Sequence, residues 1–133
     1  MTTKVVVRYA DGRIIKGYTR DFLPTNASFH VQPFDSGTSM DAVDILVRDL
    51  KAVFFVRECL GNPNYQERKE IFEGAKVIGK LFEVTFKDGE IIVGSSLSYD
   101  PERPGFFIFP ADPEGNNLGI FVVSQSVSKV RYL

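Results

Sequence analysis

Side chains capable of catalysis are few in this sequence, and they lie far apart. His30 is the only histidine and Cys59 is the only cysteine. Acid–base or nucleophilic catalysis requires a partner group within hydrogen-bond reach, and the sequence pairs no nucleophile or base with either residue. We therefore interpret His30 as a surface residue and Cys59 as an incidental thiol. The sequence predicts no catalytic residues and a protein that is not an enzyme.

Two acidic residues recur in the same local context, because Asp11-Gly12 and Asp88-Gly89 are both Asp-Gly pairs. Asp-Gly is a strong signal for a tight hairpin turn, since glycine adopts a positive φ without steric cost. This turn chemistry explains both carboxylates without a catalytic role. A single cysteine excludes a multi-cysteine zinc site, and the sequence contains no glycine-rich phosphate loop. The sequence therefore predicts neither a metal site nor a cofactor.

The composition is that of a globular protein, since 44% of the 133 residues are hydrophobic and 25% are charged. The formal net charge is −1, whereas nucleic-acid-binding domains usually carry a basic excess. No apolar stretch approaches the roughly 18 residues that a membrane helix requires. The first residues lead into a predicted strand and do not resemble a signal peptide. We expect a cytoplasmic protein with no membrane partner.

An internal repeat determines where the predicted elements lie. Residues 5–56 align without a gap with residues 82–133, at a constant offset of 77. Equivalent positions include Gly12/Gly89, Gly17/Gly94, Pro24/Pro101 and Phe29/Phe106. One register kept across strands and turns alike indicates the duplication of a single unit. The sequence predicts two domains, at residues 1–56 and 82–133, joined by a linker at 57–81.

Each unit is predicted to contain five short strands. Apolar residues alternate at period two in residues 5–9 and 82–86, which is typical of half-buried strands. Gly17 and Gly94 lie inside the second strands, where glycine marks the sharp bend that a small barrel needs. The predicted fold class is all-β, with two tandem five-stranded small barrels packed together.

This strand order resembles the Sm-like barrel, a variant of the SH3-like barrel. Residues 13–18 are similar to the first Sm motif, and residues 45–56 look like the second. The chain also resembles an uncharacterised bacterial family of duplicated barrels of this type. The resemblance implies the barrel fold for both units and brings no established activity with it.

The Sm resemblance also implies an RNA-binding alternative. Sm proteins bind RNA through polar residues in the loop after the bent strand and through an Arg-Gly pair before the last strand. The corresponding candidates for nucleic-acid contact in this sequence are Arg20, Asn26 and Arg48. The chain departs from the Sm pattern because Asp49 follows Arg48, and because the second unit has Gln125 at the position of the arginine. RNA or single-stranded nucleic-acid binding is therefore the second hypothesis.

A third alternative comes from the segment Asn26-Ala27-Ser28, which partly resembles an element of PilZ domains. PilZ domains bind cyclic dinucleotides. Val31 replaces the glycine of that element in this sequence. A cyclic-dinucleotide sensor therefore ranks below RNA binding.

The two units differ on the outward-facing side of their third and fourth strands. The second unit is apolar there, at Phe107, Phe109, Phe121 and Val123. The equivalent positions of the first unit are His30, Gln32, Asp44 and Leu46. A strand that is apolar on both faces is normally covered on both faces, so we expect the linker, the first unit or another chain to cover this patch. Val6 and Phe54 are outward apolar residues of the first unit that provide a matching surface.

This asymmetry favours a non-enzymatic protein-binding or assembly module. The apolar patch is its candidate interaction surface, and the expected partner is another protein or a second copy of the chain.

Overall fold

A computed structural model describes residues 3–34, 42–57, 79–96, 99–100, 102–110 and 117–133. These residues form ten strands, and two single 3₁₀ turns lie at Val47–Asp49 and Ser124–Ser126. The strands are β1 (Thr3–Tyr9), β2 (Ile14–Thr19), β3 (Ser28–Pro33), β4 (Val43–Leu46), β5 (Leu50–Val56), β6 (Lys80–Phe86), β7 (Ile91–Ser96), β8 (Gly105–Pro110), β9 (Asn117–Val123) and β10 (Val127–Tyr132). The described part of the chain contains no α-helix, and the all-β prediction is confirmed.

The strand bounds of the two halves repeat at the offset found in the sequence. β6, β7 and β8 begin and end 77 residues after β1, β2 and β3, and the second 3₁₀ turn follows the first by the same interval. β9 differs, because it begins three residues before the counterpart of the first residue of β4. We refer to β1–β5 as the first half and to β6–β10 as the second half. Most of the predicted linker, including Cys59, lies outside the described residues.

The hairpin turns after β1 and β6 have the conformation that their Asp-Gly sequences predict. Gly12 has a φ of 98° and Gly89 has a φ of 94°, both in the region that favours glycine. In each turn the aspartate carboxylate accepts a hydrogen bond of 3.0 Å from the backbone N–H two residues further on. Asp11 and Asp88 therefore have structural partners in their own turns.

All ten strands belong to one antiparallel sheet that does not close on itself. The order is β10-β6-β7-β8-β9-β5-β1-β2-β3-β4, so the halves meet where β5 pairs with β9. We call this pairing the junction. Its register places Ala52 opposite Val122, Val53 opposite Phe121 and Phe54 opposite Ile120. Two separate five-stranded barrels are not established by this pairing, and the barrel interpretation of each half stays a proposal.

The junction exchanges side chains between the two hydrophobic cores. The core of the first half includes Phe121 and Val123 from β9 of the second half. The core of the second half includes Ala52, Phe54 and Val56 from β5 of the first half. Fully burying one large apolar side chain contributes about 1.5–3 kcal/mol. Each half therefore depends on the other for part of its core.

Polar contacts also cross between the halves. Lys51 Nζ lies 2.7 Å from Asp88 Oδ2, also contacts the Glu90 carboxylate, and lies 4.8 Å from the centre of the Phe86 ring. The Lys51 side chain is only 9% exposed. The hydrogen bond from Lys51 is the main reason that the pKa of Asp88 lies below its ordinary value of 3.8. These contacts hold the turn after β6 against β5.

Candidate functional site

A groove of about 670 Å³ lies between the two halves. We call it the inter-half groove. It is lined by residues 25–27 and 46–48 of the first half and by residues 102–104 and 123–125 of the second half. Each second-half segment lies 77 residues after a first-half segment. The groove is therefore built from equivalent positions of both halves, and neither half forms it alone.

The same backbone hydrogen bond positions the lining loops in each half. In the first half, the Val47 N–H donates to the Ala27 carbonyl at 2.9 Å. In the second half, the Ser124 N–H donates to the Pro104 carbonyl, also at 2.9 Å. The Ser124 hydroxyl adds a hydrogen bond to the Arg103 carbonyl at 2.9 Å. These bonds hold each 3₁₀ turn against the loop that precedes the third strand of its own half.

The groove combines apolar and charged side chains. Leu46 is 37% exposed at the groove, and Val47 and Val123 are buried beneath it. Among the described lining residues, Arg48 and Arg103 carry guanidinium groups and Glu102 carries a carboxylate. Arg103 Nε lies 3.6 Å from Asp100 Oδ2, an exposed ion pair that is worth little in free energy. This combination suits a ligand with an apolar part and a carboxylate or phosphate.

The structure brings together two of the three residues predicted to contact nucleic acid. Asn26 and Arg48 both line the inter-half groove. Arg20 instead lines a second cavity of about 630 Å³ in the first half, together with Tyr18 and His30. The predicted set is thus divided between two sites.

His30 has a carboxylate partner that the sequence did not identify. Its Nδ1 lies 2.7 Å from Asp21 Oδ2, and its backbone N–H donates to Asp21 Oδ1 at 2.9 Å. Asp44 lies further away, with its Oδ1 at 3.7 Å from His30 Nε2. The hydrogen bond with Asp21 raises the pKa of His30 above its ordinary value of 6.5 and lowers the pKa of Asp21 below 3.8. No nucleophilic side chain contacts the His30 ring in the described part of the chain.

We expect the replacement Asp21→Asn to lower the pKa of His30. The native pair stabilises the fold most when His30 is protonated and Asp21 is ionised. The His30 contribution is complete below pH 6.5 and is lost as the pH rises through its raised folded pKa. The Asp21 contribution is present above pH 3.8 and is lost as the pH falls through its lowered folded pKa. An NMR titration of the His30 ring measures the shift, with Asp100→Asn as the control. An unchanged His30 pKa in Asp21→Asn would contradict the assignment.

Comparison with known proteins identifies a family without assigning a role. A family model described as a family of unknown function, DUF6982, matches residues 1–133. The chain belongs to the DUF6982 family. No curated protein matches it, and no solved structure matches it.

The predicted apolar patch is divided between the core and the surface of the DUF6982 chain. Phe121 and Val123 are each 1% exposed and lie in the core of the first half. Phe107 is half-buried, and its ring centre lies 5.8 Å from that of Phe55 and 5.2 Å from that of Phe121. Phe109 is 38% exposed. The first half covers most of this patch, and Phe109 is the member open to a partner.

The sequence did not predict the second-half residues of the groove as site residues. Gln125, the equivalent of Arg48, was noted only as a departure from the Sm pattern. Arg103, the equivalent of Asn26, was not named, although the offset of 77 identifies it. These residues face one groove because β5 pairs with β9 at the junction. The alternation of apolar residues along the sequence does not predict which strands pair there.

Neither a metal-binding cluster nor a membrane-spanning helix is found among the described residues of the DUF6982 chain. In the part of the chain that the structure describes, no cluster of three or more His, Cys, Asp or Glu side chains is arranged to hold a metal ion. Among the same residues, no helix has the length and apolar character needed to cross a bilayer.

Proposed function

We propose that this DUF6982 chain is a non-enzymatic binding module, made of two Sm-like, SH3-like barrels related by duplication. Its ligand is a short segment of another protein, bound in the inter-half groove. The observation that carries the proposal is the lining of the groove by the same two segments from each half. A site formed by both halves explains why they are joined strand to strand.

The size and chemistry of the groove support a peptide ligand. Its volume of about 670 Å³ lies within the range of roughly 300–1,000 Å³ that is common for ligand sites. Leu46 offers an apolar contact, and Arg48 is not paired with any carboxylate in the described part of the chain. A segment with an aliphatic or aromatic side chain next to a carboxylate would satisfy both groups.

The described side chains offer little support for an enzyme. His30 is held by Asp21, and none of the described residues that line its cavity is a serine, threonine, cysteine or lysine. Covalent catalysis needs such a nucleophile within reach of its base. We therefore retain a binding role, and propose the cytoplasm as its compartment.

A peptide selection followed by NMR tests the proposal. Peptides selected against the wild-type protein from a random display library are titrated into ¹⁵N-labelled protein. We expect shifts at the amides of the groove, and loss of binding in Ala27→Trp, because the indole would fill the groove. Ser128→Trp, on an exposed position of β10, is the matched control and should bind as wild type does. Shifts confined to other surfaces, or equal binding by both variants, would contradict the proposal.

RNA is the second candidate ligand, because Asn26 and Arg48 lie together in the same groove. The same titration with short single-stranded RNA distinguishes the two ligands. Binding through arginine–phosphate contacts should weaken steeply between low and physiological salt. It should also be reduced in Arg48→Ala combined with Arg103→Ala. No shift at low salt would exclude RNA, and a cyclic dinucleotide serves as a third probe for the PilZ-like alternative.

A further inference from the structure

Within the residues that the structure describes, the sheet ends at two edge strands, β4 and β10. β4 pairs with β3 on one side, and β10 pairs with β6 on one side. Within the described residues, no strand pairs with the other side of either one. Such edges present unpaired backbone N–H and C=O groups, to which a strand of another chain can add.

These two edges are the counterparts of the strands that meet at the junction. β10 is the second-half equivalent of β5, and β4 is the first-half equivalent of β9, at the offset of 77 residues. The junction register, transferred in this way, places Lys129 opposite Ile45, Val130 opposite Asp44 and Arg131 opposite Val43. A second copy of the chain could therefore extend the sheet by pairing its β4 with β10 of the first copy.

The side chains at the free edges differ from those at the junction in one consistent respect. Three buried apolar residues of the junction are replaced by charged residues at the edges. The pairs are Ala52/Lys129, Phe54/Arg131 and Phe121/Asp44. At the junction these positions are 0%, 7% and 1% exposed, in the same order. Pairing of two copies in the junction register would therefore bury three charges.

We infer that β4 and β10 are the two sides of a latent pairing surface for a second copy of the chain, and that the charges of Asp44, Lys129 and Arg131 prevent the wild-type protein from using it. Removing charged groups from water is costly unless the contact provides partners for them. Charged side chains, lysine above all, are a common means of preventing edge-to-edge pairing. The sheet of the described residues therefore ends at β4 and β10, although both strands carry the backbone elements of a longer assembly.

The ion pairs that Arg131 and Asp44 make within their own chain do not remove the cost of burying these charges. Arg131 Nη2 lies 2.9 Å from Glu83 Oε2, and Asp44 lies 3.7 Å from His30. Both of these pairs have exposed members, with Arg131 56% and Asp44 67% exposed. Lys129 has no ion-pair partner in the described part of the chain, and its junction counterpart is fully buried. Pairing in the junction register would thus bury the Lys129 ammonium without a carboxylate partner from the described part of its own chain.

Two variants that each open one edge test the inference. The first combines Lys129→Ala with Arg131→Phe and removes both charges from β10. The second is Asp44→Phe and removes the charge from β4. Because the contact is head-to-tail, we expect each variant alone to stay monomeric like the wild type. An equimolar mixture should form a dimer of twice the monomer mass, measured by size-exclusion chromatography with light scattering. The triple variant should form longer oligomers as its concentration rises.

Matched changes away from the edges serve as the control. Lys87→Ala combined with Arg20→Phe, mixed with Asp49→Phe, introduces the same residue types on exposed positions outside β4 and β10. This mixture should stay monomeric. The opened edges should associate at least about a hundredfold more tightly than the wild type, given the free energy of burying unpaired charges. Circular dichroism shows whether each variant is folded. If the β10 variant does not fold, Lys129→Ala alone replaces it. If the β4 variant does not fold, Asp44→Val replaces it.

Three results would overturn the inference. They are a folded mixture that stays monomeric, a wild-type protein that already pairs β4 with β10, and a β10 variant that dimerises with itself. None of these bears on ligand binding in the inter-half groove, which is measured on the wild-type protein.

Discussion

Phe121→Ala should lower the free energy of unfolding by about 3–5 kcal/mol, the range for truncating a buried phenylalanine. Phe121 is 1% exposed, and its ring centre lies 5.2 Å from those of both Phe22 and Phe107. Truncation leaves a cavity in the core of the first half, although the residue belongs to a strand of the second half. The loss should therefore appear in the stability of the whole chain.

Urea unfolding followed by circular dichroism and tyrosine fluorescence measures this loss. Both signals should shift together in one transition, because the junction makes the two cores interdependent. Phe109→Ala is the matched control in the same apolar patch, and it should cost less than about 1 kcal/mol since Phe109 is 38% exposed. Two separate transitions, of which only one moves in Phe121→Ala, would show that the halves fold independently.

Gly94→Ala should destabilise the protein by about 3 kcal/mol, at the upper end of the usual cost of overpacking. A Cβ at position 94 would lie 2.2 Å from the carbonyl oxygen of Phe109 and 2.9 Å from its carbonyl carbon. These are backbone atoms of β8, so β7 and β8 would have to separate. Gly17 meets the backbone of Gln32 in the same way, with a Cβ–oxygen distance of 2.2 Å.

Gly119→Ala is the matched control for this prediction. Gly119 lies in β9 at the junction, and a Cβ there would come no closer than 3.8 Å to another heavy atom, in the Phe109 ring. Alanine at a compatible position reduces the entropy of the unfolded chain. We expect Gly119→Ala to be neutral or to stabilise the protein by up to about 1 kcal/mol. Thermal unfolding of both variants provides the measurement. Equal effects of the two substitutions would contradict the close-approach explanation.

The elements within each half could be predicted from the sequence because their causes are local. Alternating apolar residues predicted β1 and β6, and the Asp-Gly pairs predicted the turns with glycine at positive φ. The bend glycines were also recognised, since a strand-interior glycine indicates close approach of another backbone. The structure identifies those backbones as β3 and β8.

The candidate site was predicted only in part. Asn26 and Arg48 were selected from the first half, and both line the inter-half groove. That Arg103 and Gln125 face the same groove depends on which strands pair between the halves. Arg20 was grouped with Asn26 and Arg48 although it lines another cavity. His30 was predicted to lie on the surface, and its side chain is 55% exposed. Its contact with Asp21 spans nine residues of chain and has no sequence signature.

By itself the sequence determined the repeat, the turns, the strand class and the excess of apolar residues on β8 and β9. These properties are set by the local preferences of each residue and by the period of two along a strand. Only the tertiary structure decided that β9 pairs with β5 and that the core of the first half buries the outer face of β9. An apolar outer face specifies that it is buried and not which surface buries it. The inter-half groove and the two charged edges follow from that single pairing.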